Sequence, residues 1–273
     1  MTTATLLPTT DRAVRPARFD DALRSEWTKI RSVPATFWTV LVALVVGIGL
    51  SALISAVAAN HYLSSTASEK AMWDPTSISG AGGALAQLAI AVLGILFITS
   101  EYSSKSISTS LMAVPQRSRF LAAKSVVIAV VSLVVAEVLG FVSFFIGQAL
   151  ISGHAPTASL GQPDVLRALI GIGLYGALIG LLGLGLGALL RSAAGAIATI
   201  VALLYVLPAV SAALPSSLEH TVEEWWPTQA GGQITNVVRG SNTLSPWLGF
   251  LVMCVFTALV LAAGFYTLDR RDA

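Results

Sequence analysis

Charge is what this sequence has least of. Only 11% of its 273 residues are Asp, Glu, Lys or Arg, whereas 55% are apolar. A soluble domain carries about a quarter charged residues to cover its surface, so this composition excludes an ordinary soluble fold and leaves a polytopic membrane protein. Cysteine is nearly absent too. Cys254 stands alone inside an apolar run, which rules out an intrachain disulfide and a thiolate metal cluster. His61, His154 and His220 lie far apart in polar segments, and no His, Cys or Asp grouping has metal-ligand spacing. The Ser-rich segments have no His base nearby. The motif G-x-x-x-x-G-K-[ST] does not occur, so the chain has no P-loop for ATP. A net charge of +2 gives no reason to expect nucleic acid as a partner.

What the chain does have is hydrocarbon. A membrane helix needs about 20 mostly apolar residues, and six segments qualify, approximately 36–58, 79–100, 125–151, 165–190, 193–214 and 246–268. The expected fold is all-α: a six-span domain over 35–273, an interfacial helix over 17–34 and a flexible cytoplasmic N-terminus over 1–16. The first apolar run starts only after about 35 residues that carry six basic side chains and is too long for the core of a cleavable signal. Residues 215–245 carry Glu219, Glu223, Glu224 and Arg239, which argue against a seventh crossing. Of the 16 basic residues, 13 fall in the N-terminus, in the loop after the second span, at Arg191 and in the tail; Lys70, Arg167 and Arg239 fall on the other side. Basic residues collect on the cytoplasmic side, so both ends are expected in the cytoplasm of a bacterial cell.

Within that frame several residues stand out. In ARFDDALRSEWTKIRSV (17–33), Phe19, Leu23, Trp27 and Ile30 recur on one helical face among Asp20, Arg24, Lys29 and Arg31. A basic amphipathic helix with a Trp suits the membrane surface; Pro16 can open it and Pro34 close it. In the fourth span Gly173, Gly176, Gly180, Gly183 and Gly187 form a stripe that lets helices approach closely, within the chain or across a dimer. Glu137 lies mid-span with no basic residue at its depth. Such an acid faces the bundle interior or water, with Gln87, Gln148, Tyr175 and Tyr205 as candidate hydrogen-bond partners, in either a structural or a functional role. The tract LPSSLEHTVEEWWPTQAGGQI is broken by Pro215 and Pro227 and reads as short helices at the outer interface, with Trp225 and Trp226 at headgroup level. They line an exit or cap the bundle.

The loop after the second span, EYSSKSISTSLMAVPQRSRFLAAK (101–124), is basic yet holds four consecutive apolar residues, Leu111 to Val114. Such a patch on a water-facing loop calls for a cover. A short helix over 106–114, ended by Pro115 and laid into a partner's groove, would give one. Arg117, Arg119 and Lys124 would sit at its rim or on lipid phosphates, and Glu101 would mark the hinge at the end of the second span. Folding back onto the membrane surface is the alternative.

Three segments together resemble the actinobacterial branch of the type-2 ATP-binding-cassette (ABC) permeases: LRSEWTKIRSVPATFWT before the first span, ITSEYSSKSISTSLMAVPQRSRFLAAK after the second, and WWPTQAGGQI before the last. Lys105 departs from the Gly often found in the family. The resemblance spans the whole chain. It implies six-span subunits paired as a homodimer or with a homologous permease in the bilayer. It also implies a separate cytoplasmic ATP-binding subunit on each, which would carry the ATP and Mg that this chain does not bind, and contact with that subunit through the loop after the second span. Two functions remain open: an exporter permease for a hydrophobic or amphipathic substrate (drug, antibiotic peptide or lipid), and a non-transporting sensor or scaffold subunit of an antibiotic-response complex.

Overall fold

The computed structural model describes residues 18–104, 117–211, 213, 215–240 and 243–270. Residues 1–16, Lys105 and the proposed helix over 106–114, with Leu111, Met112, Val114 and Pro115, lie outside them. The described regular structure is helical throughout, and six helices are long and apolar enough to cross a bilayer.

The collar helix, Phe19–Ser32, starts with the Arg18 backbone N–H donating to Asp21 Oδ2 at 3.0 Å. It carries Asp20 and Asp21 in its first turn and Lys29 and Arg31 in its last, both favourable to the helix dipole. Val33 is extended, and Pro34 occupies the first turn of the next helix, Pro34–His61. Pro34 therefore opens the first span rather than closing the collar, because a proline at the first helical position loses no hydrogen bond. Ala22, Glu26 and Ile30 are buried, while Phe19 and Trp27 are exposed. Ile30 and Glu26 thus face the bundle, where Glu26 meets a partner on a distant helix, and Trp27 stays free for the membrane surface.

The remaining spans are Gly83–Ser103, Arg117–Ile151, Val165–Leu190, Ala193–Ser211 and Pro246–Arg270. The fourth is the most buried of the six, and its glycines explain how neighbours reach it. A Cβ on Gly180 would overlap the Ser132 hydroxyl of the third span, and one on Gly176 the Ala136 methyl. One on Gly183 would overlap the Ala91 carbonyl of the second span, and one on Gly94 the Gly180 carbonyl. A Cβ on Gly187 would press on Ile98, and one on Gly173 would overlap Glu137. The stripe thus faces the second and third spans of the same chain. Between helices in lipid, such close packing replaces the hydrophobic drive available in water. Away from this seam Val42, Val45, Leu53, Val130, Val134, Leu251 and Leu259 point outward, exposed, as a lipid-facing surface requires.

The fifth span changes pitch. A π-helical segment, Ala202–Val206, precedes Pro208, and the Leu207 N–H bonds back to the Ala202 carbonyl. Proline has no N–H, and its ring crowds the preceding turn; a π-turn is one way to relieve this. The shift frees the Leu203 carbonyl, which instead accepts from Trp226 Nε1 at 2.9 Å and Thr228 Oγ1 at 3.3 Å. That freed carbonyl anchors the tract that follows.

The end of the bundle opposite the collar is capped by short helices. Between the first two spans lie Ala67–Ala71 and Pro75–Gly80; after the fifth lie Ser216–Trp225 and Pro227–Gly232 with a 3-10 turn, Gln233–Thr235. Asp74 binds the two groups together. Its carboxylate accepts from the backbone N–H groups of Thr76 (3.0 Å), Ser77 (3.1 Å), Val237 (3.3 Å) and Val238 (3.1 Å). Arg167 donates to the carbonyls of Ile234 (2.8 Å) and Asn236 (2.9 Å). Gly249 sits so close to the cap that a Cβ there would overlap the Ala230 carbonyl.

Candidate functional site

Two features combine functional groups from several elements, one at each end of the bundle. At the collar end, Lys124 is fully buried, seven residues into the helix of the third span. Its Nζ donates to Glu26 Oε2 of the collar at 2.6 Å, to Glu101 Oε1 of the second span at 2.7 Å and to the Phe97 carbonyl at 3.2 Å. It also lies over the Phe97 and Phe120 rings, 4.2 and 5.0 Å from their centroids. Lys29 closes the arrangement from the rim, 2.7 Å from Glu26 Oε1 and 3.0 Å from Glu101 Oε1. Two carboxylates and two ammonium groups give a neutral set, as burial demands: an unpaired charge there would cost several kcal/mol. Burial draws the Lys29 pKa down, but hydrogen bonds and charge from Glu26 and Glu101 outweigh it, so the net shift is upward from 10.5. The cluster joins the collar to the two spans that flank residues 105–116, the loop expected to meet a partner.

At the cap end, a cavity of about 320 Å³ opens between the second, third and fourth spans and the cap. Ile90, Leu139, Ile172 and Leu204 form its apolar floor, and Gln87, Gln229, Gln233 and Asn236 its polar wall. Among the described residues no charged side chain lines it. Gln87 Nε2 donates to the Tyr205 hydroxyl at 3.3 Å, Tyr205 in turn bonds the Ala84 carbonyl, and Tyr175 donates to the Thr228 carbonyl at 3.2 Å.

A family model described as ABC-2 family transporter protein matches residues 22–209. The chain belongs to the ABC-2 transporter family. It is therefore a multi-pass membrane protein and the permease subunit of an ABC transporter, and the family implies an ATP-binding partner. The match takes in Glu26, Lys29, Glu101 and Lys124 and ends before the cap residues 227–238 and the sixth span. No curated protein matches the chain in sequence.

The positions singled out in the sequence of this ABC-2 permease fall as follows. Glu101 is buried in the ionic cluster, at the place read as a hinge. Lys124, read as a rim or lipid-phosphate residue, is instead the centre of that cluster. Arg119 is exposed, and the backbone of Arg117 begins the third span. Glu137 packs against Gly173 at the seam of the third and fourth spans. None of its four candidate partners reaches it. Gln87 bonds Tyr205, Tyr175 bonds Thr228, and Gln148 bonds Pro75, Ser79 and Ala158. Among the described residues Glu137 Oε2 is buried with no hydrogen-bond partner. Trp225 is exposed, whereas Trp226 turns inward to Leu203. Sequence reasoning missed Glu26. The available signal was an acid four residues before Ile30, on the same helical face.

Proposed function

We propose that the chain is the permease subunit of an exporter in the bacterial cell membrane. Its termini lie in the cytoplasm, and it pairs with a second copy or a homologous permease. A separate ATPase, which holds ATP and Mg, docks at residues 105–116 through Leu111 to Val114. Its motion drives a hydrophobic or amphipathic substrate outward. The observation that carries this reading is Lys124, wholly buried between Glu26 and Glu101. The loop enters the second span beyond Ser103 and the third at Arg117. A pull on it acts within two helical turns of Lys124, and the ion pairs oblige both spans and the collar to follow together.

The test is reconstitution with the partner ATPase in proteoliposomes. Met112→Asp and Leu111→Asp should leave the permease inserted but release the ATPase or uncouple hydrolysis from transport. Normal binding and transport in both variants would remove the loop from the coupling path. Hydrolysis with no movement of any compound in a hydrophobic and amphipathic panel would favour the sensor reading. Cysteines placed at Ser65 and at Ser241, which lies outside the described residues, should react with an impermeant thiol reagent added outside intact cells, and one at Ser118 should not.

A further inference from the structure

The cap-end cavity has a chemistry of its own. Four of the nine side-chain amides in the sequence, Gln87, Gln229, Gln233 and Asn236, line this one space. Three of them, Gln229, Gln233 and Asn236, fall within eight residues of the cap, and Gln87 comes from the second span. Each carboxamide offers both donors and an acceptor, and their mutual bonding leaves much of that capacity open. Asn236 Nδ2 donates to Gln233 Oε1 at 3.1 Å, while among the described residues the Gln229 amide has no hydrogen-bond partner. The same cavity is also lined by Ile90, Leu139, Ile172 and Leu204. The volume lies at the lower end of the roughly 300–1,000 Å³ of small-molecule pockets. The charged groups nearby are already committed: Asp74 to four backbone N–H groups, Arg167 to Asp164 and two carbonyls.

We infer that this cavity is a binding site for an uncharged amphipathic ligand that carries both hydrogen-bond donors and acceptors beside an apolar flank, and that it excludes ions. A charged group entering the site finds no counter-ion among its lining and loses its water, whereas a neutral amide exchanges water for carboxamide partners. A pure hydrocarbon would leave those carboxamides unsatisfied. The inference narrows the substrate class of the exporter reading and rests on that reading for what becomes of the ligand, not for how it binds.

The probe is N-acetyl-dileucine amide carrying a diazirine, photolysed with the full-length chain in phospholipid nanodiscs without nucleotide or ATPase. Labelling should map to residues 76–90 and 228–236 and saturate. The free-acid and free-amine forms of the dipeptide, and a diester analogue without N–H donors, should each compete at least about tenfold more weakly. Gln229→Leu with Gln233→Leu should weaken labelling about tenfold. Leu204→Trp, which fills part of the apolar lining and keeps the amides, should abolish labelling of the fraction of chain that remains folded. Equal competition by a charged form or by the diester, labelling elsewhere, or labelling indifferent to Leu204→Trp overturns the site. Cavity labelling in a chain that moves nothing with its ATPase would leave this site standing and sink the exporter reading. Transport without cavity labelling would do the reverse.

Discussion

The two ends of the bundle are fastened by different chemistry. At the collar end, charges bind charges: Lys124 and Lys29 meet Glu26 and Glu101. At the cap end, charges bind mostly backbone: Asp74 gathers N–H groups, Arg167 gathers two carbonyls beside its half-exposed partner Asp164, and the freed Leu203 carbonyl holds Trp226 and Thr228. Ion pairs deep in a low-dielectric site act strongly along a line and tolerate no missing member. Backbone ties are weaker individually and spread over many atoms. The first arrangement suits an end that must move as one piece; the second suits an end that must keep its shape around a cavity.

Removing the central cation is the hardest test of that difference. Lys124→Met leaves two buried carboxylates with only the half-exposed Lys29, and should cost about 3–5 kcal/mol, read as loss of folded protein in a detergent thermal-unfolding assay. Adding Glu26→Gln and Glu101→Gln to the same chain should recover most of it, because a neutral set needs no counter-ion. If the single variant is as stable as the parent, the collar end is not held by charge.

At the cap end no single change should be as damaging. Gly249→Ala drives a methyl into the Ala230 carbonyl and should cost about 1–3 kcal/mol. Gly232→Ala, in the same cap but with open space around it, should change stability by less than about 1 kcal/mol. Asp74→Ala removes a helix cap and the tie to Val237 and Val238, for about 1–2 kcal/mol; limited proteolysis between residues 226 and 245 should quicken with it. A loss at Asp74 as large as that at Lys124 would erase the contrast between the ends.

How far these features can be read from sequence follows the distance over which their causes act. Six spans, the short cap helices and the glycine stripe are written in runs and spacings of a few residues, and a hydropathy count or a helical repeat recovers them. Glu26 is not, since the residue that draws it inward is Lys124, 98 positions on. The apolar repeat of the collar puts Trp27 and Ile30 on one face, and only the fold shows that Ile30 is buried while Trp27 is exposed. Lys124 for the same reason reads as the end of a basic loop. The pitch change before Pro208 had a local sign in the proline, but the carbonyl it frees becomes meaningful only with Trp226 in place. Glu137 was visible as an anomaly; its setting against Gly173 was not.

The smallest expected effect concerns pH and salt at the rim of the ionic cluster. The folded form raises the Lys29 pKa, so it holds that proton more tightly than the unfolded chain. The stability from Lys29 is then fully present below about pH 10.5, the unfolded value, and is lost as pH rises through the higher folded value. Thermal unfolding followed above pH 10 should fall more steeply in the parent than in Lys29→Met. Because Lys29 is half-exposed, 1 M salt should weaken its share, while the buried Lys124 pairs should hardly respond. Equal salt sensitivity of the Lys29→Met and parent chains would show that Lys29 adds nothing measurable.

The span of 98 residues between Glu26 and Lys124 also sets a timetable for biogenesis. At about 5–20 residues per second, a ribosome needs roughly 5–20 s to deliver the lysine after the glutamate. During that interval two hydrophobic helices enter the bilayer while Glu26, on the face the collar will later bury, is paired only with its neighbour Lys29. The collar must therefore remain at the water interface until the third helix arrives, and only then can it dock. A nascent chain that ends before Lys124 carries a collar without its central partner.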